Sequence, residues 1–296
     1  MKSILLIIFL RGLSLLPLGA VRKIGALLGG ISYAISSRMA ETTKTNIAIC
    51  YPELPLKERN VLVKCSISNT FQTLAEAGPA WLWPANRVLD HIIEVEGLEL
   101  LEEAMARGKG TIVLGPHLGN WEVLGLYLNN CGCGQSYQMY QAPKDPRLSR
   151  MIYDARSRAG ARLVETDSKG VGMLLKSLKN GEIAGILPDQ VPPESGGKFA
   201  PFFNREALTM TLVARLLNKT GARCILGYAA RTASAGRQGW KVVFRKPSEE
   251  IYAEHIQDSL VGMNQSIEAL VNECPEQYQW EYKRFKRSPE GQSRPY

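Results

Sequence analysis

A histidine and an acid lie five residues apart in segment 110–125, which reads GTIVLGPHLGNWEVLG. When a carboxylate accepts a hydrogen bond from one ring nitrogen, the imidazole is fixed in one tautomer and its other nitrogen becomes more basic. That nitrogen can take a proton from a substrate hydroxyl, as in a serine triad whose serine is replaced by an acceptor alcohol. The segment therefore predicts His117 as a general base and Glu122 as the carboxylate that orients it. A thioester acyl donor would need no nucleophile from the enzyme.

The residues around this pair predict a strand, a turn and a helix. Thr111–Leu114 is apolar and β-branched, two glycines permit a tight turn, and Asn120 can cap the helix that follows. His117 would then lie at the carboxyl end of a strand, where open α/β sheets bind their ligands. A structural alternative stays open, in which the histidine is satisfied within a turn and Glu122 favours the positive end of the helix dipole.

Short β-branched segments alternate with helical ones through most of the chain. The predicted strands are residues 92–95, 111–114, 136–140, 162–164, 183–187, 224–229 and 240–244. The predicted helices are residues 98–106, 121–129, 147–159, 171–178, 209–217 and 252–272. This alternation predicts an α/β fold with a mixed central sheet flanked by helices. We expect an α/β domain with a basic C-terminal tail over 86–296, preceded by a helical segment over 37–85 that is broken by Pro52 and Pro55.

Residues 1–36 are unusually apolar, yet basic residues interrupt them at Arg11 and at Arg22-Lys23. No uninterrupted apolar run approaches the about 20 residues that cross a bilayer. A secretory signal is disfavoured because Arg11 falls in its apolar centre and the apolar character resumes after Ala20. We expect an N-terminal helical membrane anchor lying in the interface, with Arg11, Arg22, Lys23 and Arg38 near anionic headgroups. A single spanning helix and a buried core helix remain alternatives.

The overall composition restricts partners and cofactors. There are 36 Lys+Arg against 28 Asp+Glu, a net charge of +8, which favours acidic partners. Nucleic acid, anionic lipid and an acidic carrier protein all fit that charge, but no base-stacking motif favours nucleic acid. The six cysteines are dispersed through a large domain, so we expect reduced thiols rather than a disulfide scaffold, and no metal site.

Several motifs in one order resemble a known family. The first is the H-x4-D/E signature, present as His117-Leu-Gly-Asn-Trp-Glu122. The others are YQAPKDP at 140–146, RSRAG at 156–160, PDQ at 188–190 with FAPFF at 199–203, and WEYKRFKRSPEG at 280–291. Together they resemble the bacterial late lipid A acyltransferases of the lauroyl and myristoyl type, within the lysophospholipid acyltransferase superfamily. Gln141 stands where the family has arginine. The resemblance covers nearly the whole chain.

The resemblance implies roles for residues that the pattern alone leaves undecided. Asp189 is expected to order the site by holding Arg156; a turn-initiating aspartate is the alternative. Arg156 is expected to bind the thioester oxyanion or a substrate phosphate, with Arg158 and Asn120 as further candidates. A solvated helix face is the alternative for Arg156. In the tail, Arg284 and Phe285 are expected to pack against the domain; a plain solvated basic tail is the alternative.

The resemblance also implies a reaction and a location. The donor would be acyl-acyl carrier protein, or acyl-CoA, as co-substrate, and no cofactor is required. The acceptor would be a hydroxyl of an anionic, phosphorylated lipid A precursor at the cytoplasmic face of the inner membrane. Two alternatives remain: an acyltransferase for another membrane acceptor (a lysophospholipid, glycolipid or amino-acid lipid), and a catalytically silent lipid-binding homologue.

Overall fold

Four helices form the N-terminal region of the computed structural model, which describes residues 2–158 and 160–296. They are α1 (Lys2–Ser14), α2 (Leu18–Ala34), α3 (Arg38–Cys50) and α4 (Leu56–Leu82). Pro17 precedes α2, and the Ser37 hydroxyl caps α3 by accepting from the Ala40 amide. Met1 and Ala159, which fall within the predicted anchor and the helix predicted over 147–159, lie outside the described residues.

An α/β region follows the helices. Its strands are β1 (Ile92–Glu96), β2 (Thr111–Leu114), β3 (Ser136–Tyr140), β4 (Arg162–Glu165), β5 (Ile183–Ile186), β6 (Gly197–Phe202), β7 (Arg205–Met210), β8 (Arg223–Ser234) and β9 (Arg237–Arg245). Its helices are α5 (Ala85–Leu89), α6 (Leu98–Ala106), α7 (Trp121–Leu128), α8 (Pro146–Ser157), α9 (Ser168–Lys179), α10 (Leu212–Thr220) and α11 (Ile256–Glu273). Seven strands form one sheet in the order β1-β9-β8-β2-β5-β3-β4. All neighbours are parallel except β8 and β9, which form an antiparallel hairpin.

The predicted mixed sheet flanked by helices is confirmed, and each of the seven predicted strands belongs to it. The separate hairpin of β6 and β7 was not predicted, and the helix predicted over 209–217 was wrong at its start. Residues 205–210 extend as β7, and α10 begins only at Leu212. Three consecutive residues of β7 (Ala207, Leu208, Thr209) are buried, β6 pairs with the strand, and Asn264 of α11 donates to Thr209 Oγ1. Apolar periodicity cannot separate such a short buried strand from a helical turn.

Two neighbouring strands bring distant parts of the chain to one edge of the sheet. β2 and β5 pair in parallel from Thr111 opposite Ile183 to Leu114 opposite Ile186, and every residue of both is buried. Because the two strands end at the same level, the residues that follow them emerge side by side. This edge contains the candidate site.

The N-terminal helices differ from the expected anchor in one respect. Arg22 is buried rather than facing headgroups, and only Arg11, Lys23 and Arg38 of the predicted interfacial cations are exposed. Within the described residues, no single helix is both long and apolar enough to span a bilayer; α2 and α3 would qualify only as a pair, and they are bent by 81°. Both α1 and α2 expose large apolar side chains, including Leu5, Ile8, Phe9, Leu27 and Ile31.

Candidate active site

The imidazole of His117 lies against the carboxylate of Asp189, which follows β5. His117 Nδ1 is 2.8 Å from Asp189 Oδ1, and the His117 backbone N–H donates to Asp189 Oδ2 at 2.9 Å. The Asp189 side chain is almost fully buried, at 2% exposure, and that of His117 is 13% exposed. Burial alone would raise the pKa of Asp189, but the contact with His117 outweighs it and lowers the pKa below its ordinary value. Asp189 is therefore an anion throughout the neutral range.

Because an ionised carboxylate can only accept, His117 Nδ1 is the donor to Asp189, so the neutral form of the imidazole has its lone pair on Nε2. The side-chain amide of Gln190 lies 3.2 Å from Nε2 and is positioned to donate to it. The same amide donates to Gln279 Oε1 at 3.0 Å. The nitrogen that would act as base therefore faces a polar, replaceable partner.

Backbone contacts with two other regions hold the turn that carries His117. The Gln279 amide donates to the His117 carbonyl and the Gly119 amide to the Gln277 carbonyl, both at 3.0 Å. On the opposite side the Asn120 amide donates to the carbonyl of Ala229, in β8, at 2.8 Å. Gly119 has φ of +64°, and a Cβ there would lie 2.1 Å from the Ala229 oxygen, so no larger residue fits.

Glu122 binds Arg156 rather than His117, which corrects the predicted contact. Arg156 Nε donates to Glu122 Oε2 at 2.9 Å and Nη2 to Oε1 at 2.6 Å, a bidentate pair. Burial alone would raise the pKa of Glu122, but the Arg156 guanidinium lowers it below its ordinary value. Arg156 was expected to be held by Asp189, so the two acids have exchanged the partners predicted for them.

The order of the strands explains this exchange. Asp189 approaches the imidazole because β5 is the direct neighbour of β2. On the other side of the imidazole, the Trp121 ring packs edge-on against it, with centroids 4.8 Å apart. Glu122, in the first turn of α7, instead meets the end of α8, where Arg156 projects from the last turn.

The other candidates lie nearby but make structural contacts. The side-chain oxygen of Asn120 caps α7 by accepting from the Val123 amide, while its Nδ2 donates to Glu76 at 2.8 Å. Arg158 donates to the carbonyls of Ala80 and Trp81 at the end of α4. Neither side chain is directed at His117, so the structure brings together His117 with Asp189 and, separately, Glu122 with Arg156.

The C-terminal segment packs closely onto the α/β region. Arg284 is 3% exposed and donates to the Leu208 carbonyl at 2.7 Å and to Thr209 Oγ1 at 3.0 Å. Phe285 is fully buried beside Phe202, with ring centroids 6.3 Å apart. These contacts fix the segment that supports the His117 turn.

Sequence reasoning missed a buried ion cluster beneath the site. Glu76, with no exposed surface, accepts from Arg22 Nε at 2.7 Å and from Arg231 Nη1 at 3.3 Å, besides Asn120. Burial raises the pKa of Glu76, but Arg231 and Arg22 together lower it below its ordinary value. The available signal was an acid within the small, apolar run Leu74-Ala-Glu-Ala-Gly78 of a helix. Its partners could not be read from spacing, because they are 54 and 155 residues away.

An apolar cavity lies beside the Glu122–Arg156 pair, and Trp121, whose ring packs against His117, also lines it. Glu122 and Arg156 face this small cavity, whose other walls are mainly apolar, among them Val113, Leu124, Leu128, Met139, Ile186 and Leu187.

All six cysteines are free thiols. Within residues 2–158 and 160–296, no three His, Cys, Asp or Glu side chains are grouped to hold a metal ion.

Comparison with known proteins agrees with the motifs. A family model described as bacterial lipid A biosynthesis acyltransferase matches residues 2–287. A lipid A biosynthesis lauroyltransferase of Escherichia coli (strain K12) is 26% identical over 278 residues, covering 93% of this chain and 88% of the relative. A palmitoleoyltransferase of the same strain is 27% identical, covering 94% and 89%, and a myristoyltransferase is 24% identical, covering 96% and 87%. The chain therefore belongs to the bacterial lipid A biosynthesis acyltransferase family and is an acyltransferase.

Proposed function

We propose that this protein transfers a fatty acyl group from acyl-acyl carrier protein to a hydroxyl of a lipid A precursor at the cytoplasmic face of the inner membrane. The observation that carries the proposal is the His117 imidazole, whose Nδ1 is held by a buried anion while Nε2 faces replaceable polar groups. Family membership supports acyl transfer in lipid A biosynthesis as the reaction.

The proton and the acyl group can be followed through the reaction. The acceptor hydroxyl displaces Gln190, gives its proton to His117 Nε2, and its oxygen attacks the thioester carbonyl. Asp189 stabilises the imidazolium, as the third member of a triad does. When the tetrahedral intermediate collapses, the carbon–sulfur bond breaks and the thiolate takes the proton from Nε2.

Arg156 is the proposed stabiliser of the oxyanion. Two of its nitrogens bind Glu122, which fixes the plane of the guanidinium, and its side chain keeps 23% of its surface exposed. A fixed, partly buried cation beside a developing negative charge lowers the activation barrier, because it need not reorient during the reaction. Glu122 thus assists by positioning Arg156 and not by contacting the imidazole.

Surface charge supports an acidic carrier protein as the donor. Lys286 and Arg287 are exposed on the C-terminal segment, next to residues that are fixed in the core. With a net charge of +8, the protein would attract an acidic carrier at long range. Acyl-CoA remains the alternative donor, and the two are compared directly in the assay below.

The exposed apolar side chains of α1 and α2 support binding at the membrane surface. Leu27 and Ile31 are 66% and 51% exposed and lie one helical turn apart on α2. Leu27→Ser combined with Ile31→Ser should reduce binding to phosphatidylglycerol-containing vesicles by about tenfold or more, because each residue loses about 1–2 kcal/mol of apolar burial. Vesicle sedimentation measures this binding. Val95→Ser with Met173→Ser, exposed apolar positions in the α/β region, should leave it unchanged; equal losses in both pairs would contradict the proposed membrane face.

The proposed reaction is tested by incubating the protein with labelled acyl-acyl carrier protein or acyl-CoA and a panel of acceptors. The panel contains a lipid A precursor, a lysophospholipid, a glycolipid and an amino-acid lipid. Mass spectrometry should show one added acyl chain on the lipid A precursor, formed fastest from the carrier protein. Acyl transfer to another acceptor of the panel, and not to the lipid A precursor, would show that the proposed acceptor is wrong. Binding of the precursor without any acyl transfer would show that the protein is a catalytically silent, lipid-binding homologue.

A further inference from the structure

An open groove of about 1120 Å³ separates α1 from α8 and from the end of α4. Its apolar floor is formed by side chains of the three helices and of Trp83, which follows α4; the helical ones are Ile4, Ile7, Ile8, Leu82 and Met151. Ile4 and Ile8 are 41% and 60% exposed, so the groove is continuous with the apolar surface of α1.

The rim of this groove is strongly basic. Four arginines line it (Arg11, Arg147, Arg150 and Arg158) against a single acid, Asp154. Asp154 is paired with Arg150 Nε at 2.9 Å, which leaves the outer nitrogens of that guanidinium available. Among the described residues, neither Arg11 nor Arg147 forms an ion pair, and both are exposed. Arginines that lack an acid partner beside an apolar floor are complementary to a lipid phosphate.

The groove adjoins the site through α8. Ala155 and Arg158 line the groove, whereas Arg156, between them, faces Glu122 in the neighbouring cavity. Arg158 also ties the end of α8 to the carbonyl of Ala80. A molecule in the groove would therefore lie against α8, the helix that carries Arg156 on its other side.

We propose that this groove binds the acceptor lipid, with its acyl chains on the apolar floor and a phosphate on Arg147, Arg150 and Arg11. The inference rests on the proposed function, since it names where that acceptor is held. Arg158 contributes mainly structure, because its outer nitrogens already bind carbonyls. The acceptor lies in the bilayer that α1 contacts, so it can enter from the membrane side without crossing water.

The test uses the full chain and one lipid in two forms, a phosphorylated glucosamine-disaccharide lipid and its dephosphorylated counterpart. Arg147→Gln with Arg150→Gln should raise KM for the phosphorylated acceptor at least tenfold, with kcat and the donor KM within twofold of wild type. For the dephosphorylated acceptor the same variant should match wild type. Arg11→Gln should have a smaller effect in the same direction. The matched control is Arg107→Gln with Lys109→Gln, exposed cations just before β2 and thus at the opposite edge of the sheet from His117.

Binding is also measured without catalysis, by sedimentation with phosphatidylcholine vesicles that contain either lipid form. Wild-type preference for the phosphorylated form, lost in Arg147→Gln/Arg150→Gln, supports the groove even if no acyl group is transferred. Acyl transfer with no phosphate preference, or an equal KM increase in the control variant, overturns the groove and leaves the proposed reaction standing.

Discussion

His117→Ala and Asp189→Asn should each reduce acyl transfer by about 10²-fold or more while leaving the protein folded. The first removes the base. The second removes the anion that fixes the Nδ1–H tautomer and stabilises the imidazolium, because an asparagine can present an amide N–H to the ring instead. Initial rates with labelled donor measure both losses, and circular dichroism checks the fold.

The double variant His117→Ala/Asp189→Asn should be no slower than His117→Ala alone, since the two residues act as one unit. A matched control exists on the surface, where His255 and Asp258 form an exposed pair with His255 Nδ1 3.4 Å from Asp258 Oδ2. His255→Ala and Asp258→Asn should leave turnover unchanged. Wild-type turnover in a folded His117→Ala protein would refute the mechanism.

Glu122→Gln distinguishes the role of the Glu122 carboxylate from that of Asp189. It should lower kcat by weakening the hold on Arg156, yet preserve the pH dependence of the rate, because the imidazole keeps its own partner. Asp189→Asn should change that pH dependence. A shifted pH dependence in Glu122→Gln would instead show that Glu122 contacts the His117 imidazole during the reaction.

Glu76→Ala should lower the free energy of unfolding by about 3–5 kcal/mol, because it leaves two arginines buried without their anion. Arg22 and Arg231 are 7% and 5% exposed at the side chain, so water cannot replace the carboxylate. Loss of the Asn120 contact also weakens the support of α7. Urea denaturation in detergent, with the slope compared between variants, measures the change.

Two other substitutions calibrate this result. Glu76→Gln keeps the shape and part of the hydrogen bonding, so it should cost less than Glu76→Ala. Glu41→Ala removes the exposed acid paired with Lys44 on α3 and should cost less than about 1 kcal/mol. A loss as small in Glu76→Ala as in Glu41→Ala would show that the cluster contributes little to stability.

The sequence allowed the fold to be predicted further than the site. The segments that become β2 and β5 are short, apolar and bounded by turn residues. Both could therefore be predicted as strands of the central sheet. Their adjacency could not be predicted, because strand order is decided by packing between segments 72 residues apart. For that reason Glu122, the nearest acid in the chain, was predicted as the partner of His117, while Asp189 is its partner in space. Arg22 was misplaced for a similar reason, since nothing near it in the chain indicates Glu76.

The backbone bonds that join Gln277 and Gln279 to the His117 turn make the base depend on a segment far from it in the chain. The imidazole can hold its position only while that C-terminal segment stays docked on the α/β region. A substitution that undocks the segment would therefore silence acyl transfer without touching the imidazole, its carboxylate partner or the lipid.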